Sequence, residues 1–295
     1  MISLPALAAV TASLGWATGI VLAQRPAQLL GAFEFTRIQL LACAAIMAAA
    51  CFALGLWPSV TWHHWPAFLA SAGIGIVAGN LAMIACLRRG GPRRTELLLS
   101  LKAVLISAMA YVWLGETPTG THLLGGCIAL SGVYIALKFD GGNGESDRRR
   151  GSLAITVLLG VAATACQGFG FLVMKPALLL GTDPLAATAI RLVLAALMIS
   201  VLGIAISRPL LAKGFVGSKL IGQTILPGFI GYGVASSLLL YAIAHMQAGV
   251  ATVLGSLSPV LVLPILWLTD KKAPTAGASI GAFIAVLGTT IIFLT

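Results

Sequence analysis

The chain has 295 residues, of which 59% are hydrophobic and 9% charged, with a mean hydropathy of +1.03. No soluble core of this length needs so much apolar side chain, so a water-soluble enzyme or binding module is excluded and a polytopic membrane protein is indicated. The formal net charge of +10 sits in short loops between apolar blocks, which reads as a topology signal beside anionic headgroups and not as a nucleic-acid footprint.

The apolar blocks have the length of about 20 residues that an α-helix needs to cross a hydrocarbon layer of about 30 Å. They lack the alternation of barrel strands, and in lipid the backbone must satisfy its own polar groups, so the fold class is all-α. The blocks predict ten transmembrane helices. Those of the first half are Leu4–Ala23, Gly31–Leu56, Trp65–Leu87, Thr95–Trp113 and His122–Leu137. The first run is longer than a signal-peptide core and has no Lys or Arg before it, so it is expected to be retained. After the Gly-rich, charged stretch from Lys138 to Arg150 come Ser152–Met174, Pro184–Ile206, Gly222–Ala244, Val250–Leu268 and Pro274–Leu294. The expected division is residues 1–139, a linker over 140–150, and residues 151–295.

With ten spans, one face receives Arg25, Arg88, Arg89, Arg93, Arg94, Arg148, Arg149, Arg150, Lys271 and Lys272 among others, and the opposite face essentially Lys175. The basic face is then cytoplasmic and both termini lie on the other side. Trp57, Trp62 and Trp65, around His63 and His64, are expected as anchors at the headgroup level.

An internal repeat joins the halves. Ser100-Leu101-Lys102 matches Ser256-Leu257-Ser258, and the same offset pairs Ile74-Gly75 with Ile230-Gly231, Asn80 with Ser236 and Pro118-Thr119 with Pro274-Thr275. A slightly different offset pairs Arg37 with Arg191. Each half has an odd number of spans, so the second enters the membrane in the opposite sense, as in transporters that alternate access around a midplane site.

Two five-span halves, Gly15-Trp16 in the first helix, and Leu114-Gly115-Glu116 before a Gly-rich fifth helix resemble the EamA-type branch of the drug/metabolite transporter superfamily. The second half departs from that pattern, with Cys166-Gln167 in the place of Gly15-Trp16 and Asp270-Lys271-Lys272 in that of Leu114-Gly115-Glu116. The resemblance covers almost the whole chain. It implies a multi-pass protein of a bacterial inner membrane that exports amino acids or related metabolites, and the chain is similar to aromatic amino acid exporters of that family. No cofactor or metal is implied. The partners expected are a small-molecule substrate and membrane lipid; a monomer and a homodimer are both compatible with the sequence.

Lys102 is the ionisable outlier, eight residues into its span. A charged amine at that depth must face a wet cavity or a partner, which makes it a functional candidate. Tyr232, Ser236, Ser237 and Tyr241 share a broad face of the eighth span, and with Trp16, Asn80, Gln167, Ser256 and Ser258 they make a candidate substrate pocket, mostly apolar with a few polar groups. Hydroxyls in membrane helices also bond their own backbone or a neighbouring helix, which is the competing reading for each of them. Arg37 and Arg191 are candidate gate residues; Glu34, one turn from Arg37, offers it a local anchor instead. Pro259 and Pro264 each remove an intrahelical hydrogen bond and predict a bent or unwound ninth span beside Ser256 and Ser258. Glu34, Glu96, Glu116 and Asp270 map near span ends, so no carboxylate is expected at mid-membrane, and zwitterionic or anionic cargo fits better than a cationic drug. Other metabolites, including a nucleotide-sugar or lipid-linked sugar, are the alternative cargo. A membrane enzyme is disfavoured, because no catalytic motif accompanies His63 and His64.

Overall fold

The computed structural model describes residues 4–114, 120–139, 152–205, 217–270 and 275–293, which are almost wholly helical. The linker expected over 140–150, like Leu114-Gly115-Glu116 beyond Leu114, lies outside the described residues.

Leu4–Ala53 runs for 50 residues without leaving helical hydrogen bonding. At 1.5 Å per residue that is about 75 Å, more than twice the hydrocarbon thickness, so it cannot be one straight span. Gly31, with φ 81°, is where it turns. A left-handed glycine is the usual way to end a helix without steric penalty, and it divides the run into α1 (residues 4–30) and α2 (32–53). The sequence placed the end of the first helix at Ala23; residues 24–30 instead continue it, with Pro26 buried inside. A second such turn, Gly91 with φ 73° followed by Pro92, separates α3 (65–90) from α4 (92–114). Proline in the first helical turn costs nothing, because its missing N–H would have no partner there. Then come α5 (Gly120–Lys138), α6 (Leu153–Leu172), α7 (Pro184–Ala205), α8 (218–245), α9 (248–270) and α10 (Ala276–Phe293). Two of these starts carry side-chain caps: Ser152 accepts from the Ala154 N–H at 3.2 Å, and Asp183 from the Leu185 N–H at 2.8 Å. The protein is thus an all-α membrane protein of ten transmembrane helices in two inverted five-helix repeats.

The repeat is visible in the irregularities as well as in the order of spans. α3 and α8 each contain a π-helical segment, Ser71–Ala78 and Phe229–Ala235, around the paired Gly75 and Gly231. α4 and α9 are each broken once, at Ser100-Leu101 and at Ser256-Leu257. At each break the serine hydroxyl donates back to a carbonyl of the preceding turn, Ser100 to Leu97 O and Ser256 to Thr252 O, both at 2.7 Å. The ninth span was expected to bend or unwind beside Ser256 and Ser258, and it does: the break immediately precedes Pro259, the second residue of the helical piece Ser258–Asp270, while Pro264 lies further along that piece. α4 breaks at the equivalent place with no proline beside the break.

The closest packing is between halves. α1 lies against α8, α3 against α6, α4 against α9, and α5 against α10, while Gly203 of α7 meets Phe33 and Arg37 of α2. Glycines set these approaches. A Cβ on Gly75 would meet the Gly170 backbone, one on Gly19 the Pro227 carbonyl, and one on Gly132 the Ala285 backbone. In lipid, where apolar side chains gain little by meeting one another, such close backbone contact is what associates helices.

Candidate functional site

Between the halves lies a cavity of about 80 Å³, room for several water-sized groups. It is bounded by α1 from Trp16 to Ala23, by Phe35 and Gln39 of α2, by α3 from Gly75 to Leu87, and by Glu96 and Lys102 of α4. From the second half it takes Gln167 and Phe171 of α6, Arg191 of α7, α8 from Pro227 to Ser236, and α9 around its break. The stretches of α1, α2, α3 and α4 run between the middle of each helix and the end that carries Arg25 and Arg88, while Gln167, Phe171 and Arg191, in the other halves of α6 and α7, close the cavity at its deep end. The cavity therefore extends toward the basic face. On the opposite side the loops of the two halves are tied together. Thr61 and Thr182 share a hydroxyl–hydroxyl hydrogen bond of 2.6 Å, the Thr61 N–H donates to Thr182 Oγ1 at 3.1 Å, and the Asp183 N–H donates to Ser59 Oγ at 3.1 Å.

Lys102 is the second residue after Ser100 in the α4 break and the first of the helical piece that follows. Its side chain is buried, and Nζ lies over the Trp16 ring at 4.6 Å from the centroid and 5.8 Å from that of Phe171. A cation over an aromatic face is attracted by the ring quadrupole, most strongly when desolvated. Trp16 and Phe171 meet edge to face at 6.0 Å. Phe171 lies one turn from Gln167, and a search of that helical face at i+4 would have found it.

Arg191 reaches the same rings from α7. Its Nε donates to Ser71 Oγ at 2.6 Å, Ser71 donates to the Gly170 carbonyl at 2.5 Å, and the guanidinium carbon lies 4.9 Å from the Phe171 centroid. One nitrogen, Nη1, is buried without a hydrogen-bond partner. A buried charged donor left unpaired costs more than a neutral one, so at a cavity wall it is capacity for an acceptor.

Glu96 lies near a span end as expected, but it also belongs to the cavity. It is 2% exposed, lines the cavity, accepts a hydrogen bond from the Ser258 hydroxyl across the two halves, and interacts electrostatically with Lys102. The sequence put every acid near a span end, and Glu96 does lie about one turn into α4; what sequence could not give is that the cavity descends that far along the helix.

Of the other candidates, Trp16, Gln167, Tyr232, Ser236, Ser256 and Ser258 line the cavity with Lys102. Asn80, Ser237 and Tyr241 do not. Asn80 donates to Thr36 Oγ1 at 3.1 Å, joining α3 to α2; Ser237 donates to Gly233 O and to Thr188 Oγ1; Tyr241 packs on His245 with centroids 4.2 Å apart. The division on α8 follows from helical geometry: successive residues are about 100° apart, so Tyr232 and Ser236 share the cavity face while Ser237 and Tyr241 lie on the adjoining one. Among the gate candidates only Arg191 borders the cavity. Arg37 is buried in an ion pair with Glu34 at 2.6 Å, and Pro259 and Pro264 lie away from the wall.

No curated protein matches the sequence. A solved crystal structure of another protein has the same fold, with a TM-score of 0.74 at 18% identity over 98% of this chain and 96% of that one. The sequence profile of the EamA-like transporter family matches residues 3–138 and 154–294, once in each half. A family profile repeated over nearly the whole length, on ten helices that enclose a charged cavity between inverted halves, leaves one assignment: the chain belongs to the EamA-like transporter family and is a membrane transporter of small molecules.

Proposed function

We propose that the protein is a secondary transporter that exports amino acids, aromatic and other neutral ones, across a bacterial inner membrane by alternating access around this cavity. The observation that carries the reading is the unpartnered Nη1 of buried Arg191, with the Lys102 ammonium beside the same Phe171 ring. Two cations held over aromatic rings suit a carboxylate whose apolar remainder lies against Trp16, Phe35 and Tyr232, and a guanidinium with a free N–H is well matched to a carboxylate oxygen. With the basic face cytoplasmic and the termini outside, the cavity extends toward the side on which an exporter loads.

The test is uptake of radiolabelled Phe, Tyr, Trp, Met and Thr into proteoliposomes of the purified protein, with and without an imposed proton gradient. Saturable uptake is expected, with Arg191→Gln and Lys102→Ala each lowering it about tenfold or more at normal yield, the scale of a hydrogen bond to a charged group. Absence of uptake by folded protein in both conditions refutes the cargo, and wild-type kinetics in both variants refutes the site.

A further inference from the structure

The charged groups of the cavity are not distributed as the repeat would distribute them. Lys102 has Ser258 as its counterpart in the second half, and Glu96, at the same offset, has Thr252. A site with equal ends would suit a cargo with equal ends. Here the cavity has Arg191 and Lys102 by the Phe171 ring, and a carboxylate, Glu96, at the α4–α9 junction. A carboxylate accepts about four hydrogen bonds, and the Ser258 hydroxyl supplies one of them. Lys102 contributes charge to Glu96, but its Nζ is held over the Trp16 ring at 4.6 Å. The remaining acceptor positions at a cavity wall are complementary to a cationic donor on the cargo.

We infer that Glu96 is a specificity-determining residue that receives the ammonium of a zwitterionic cargo whose carboxylate is held at Arg191 and Lys102. The inference rests on the carboxylate reading of Arg191 and extends it: the protein separates amino acids from carboxylic acids that carry the same side chain. A site built to bond an N–H rejects the analogue lacking it more strongly than an apolar pocket rejects a change in size, because its own polar group is left unpaired.

Calorimetric binding to the purified protein in detergent tests this with three probes: L-phenylalanine, 3-phenylpropionate, which lacks the ammonium, and 2-phenylethylamine, which lacks the carboxylate. The wild-type protein should bind phenylalanine at least about tenfold more tightly than phenylpropionate. Glu96→Gln should bring the two within about threefold by weakening phenylalanine alone, and Glu96→Asp, which keeps the charge, should retain a preference. Equal affinity of the wild-type protein for phenylalanine and phenylpropionate overturns the role of Glu96 and leaves the carboxylate site standing, whether or not any variant folds. Failure of both carboxylates to bind, with phenylethylamine binding that Glu96→Gln abolishes, refutes the Arg191 reading and keeps Glu96 as an ammonium site. Failure of all three overturns both.

Discussion

The α3–α6 crossing allows a worked prediction. A methyl group on Gly75 would lie 2.6 Å from the Gly170 Cα, and ordinary contact begins near 3.4 Å, so the helices must part by 3.4 − 2.6 = 0.8 Å. Neither atom can turn aside, since the obstacle is backbone. Gly170 also carries the carbonyl that accepts from Ser71, and Ser71 holds the Arg191 Nε at 2.6 Å; parting the helices therefore moves the guanidinium from its place over Phe171. Overpacking of this kind costs about 1–3 kcal/mol. Gly75→Ala should lower the thermal midpoint of the purified protein by about 2–10 °C and reduce initial transport rates more than Gly73→Ala, whose added methyl meets only the flexible Met198 sulfur at 3.4 Å. Equal stability and equal rates in the two variants would refute the argument that this crossing positions Arg191.

Removing the hydroxyls of the loop latch with Thr61→Val and Thr182→Val should favour opening of the non-basic side. In a background freed of native cysteines, a cysteine at the buried Ser13 should then react faster with a membrane-impermeant maleimide added from that side, and an unchanged rate would show that the latch does not hold the closed state. Cysteines placed near Arg149 and at the C-terminus should label from opposite faces; labelling from one face contradicts the count of spans or the inverted halves.

How much of this was legible in the sequence depends on distance along the chain. Span number and the repeat follow from local composition, and proline marked the break of the ninth span; the matching break at Ser100-Leu101 was not expected, although the repeat pairs it with Ser256-Leu257. Turn positions shifted because a single left-handed glycine, Gly31 or Gly91, does the work assigned to a loop of seven residues. Trp16, Lys102, Gln167 and Tyr232 could be gathered from aromatic and polar outliers in apolar runs. Arg191 with Ser71, and Glu96 with Ser258, could not, since each partnership joins helices from different halves and depends on how deep the cavity runs. Spacing alone groups Ser237 and Tyr241 with Tyr232 and Ser236 on one broad face, but they lie about 100° or more round the helix from Tyr232 and fall outside the cavity wall.

The exchange of partners between halves has a consequence for biogenesis. Gly15, Gly19, Gly75, Gly79 and Gly132, all in the half synthesised first, find their close neighbours in the half synthesised second. When the first five helices have been inserted and the ribosome is still translating the rest, these glycine faces have lipid or translocon in the place of those neighbours. The nascent first half is thus the stage at which the chain is most open to misassembly or to chaperoning within the membrane, and the stage at which two copies would most readily pair with each other in place of their own second halves.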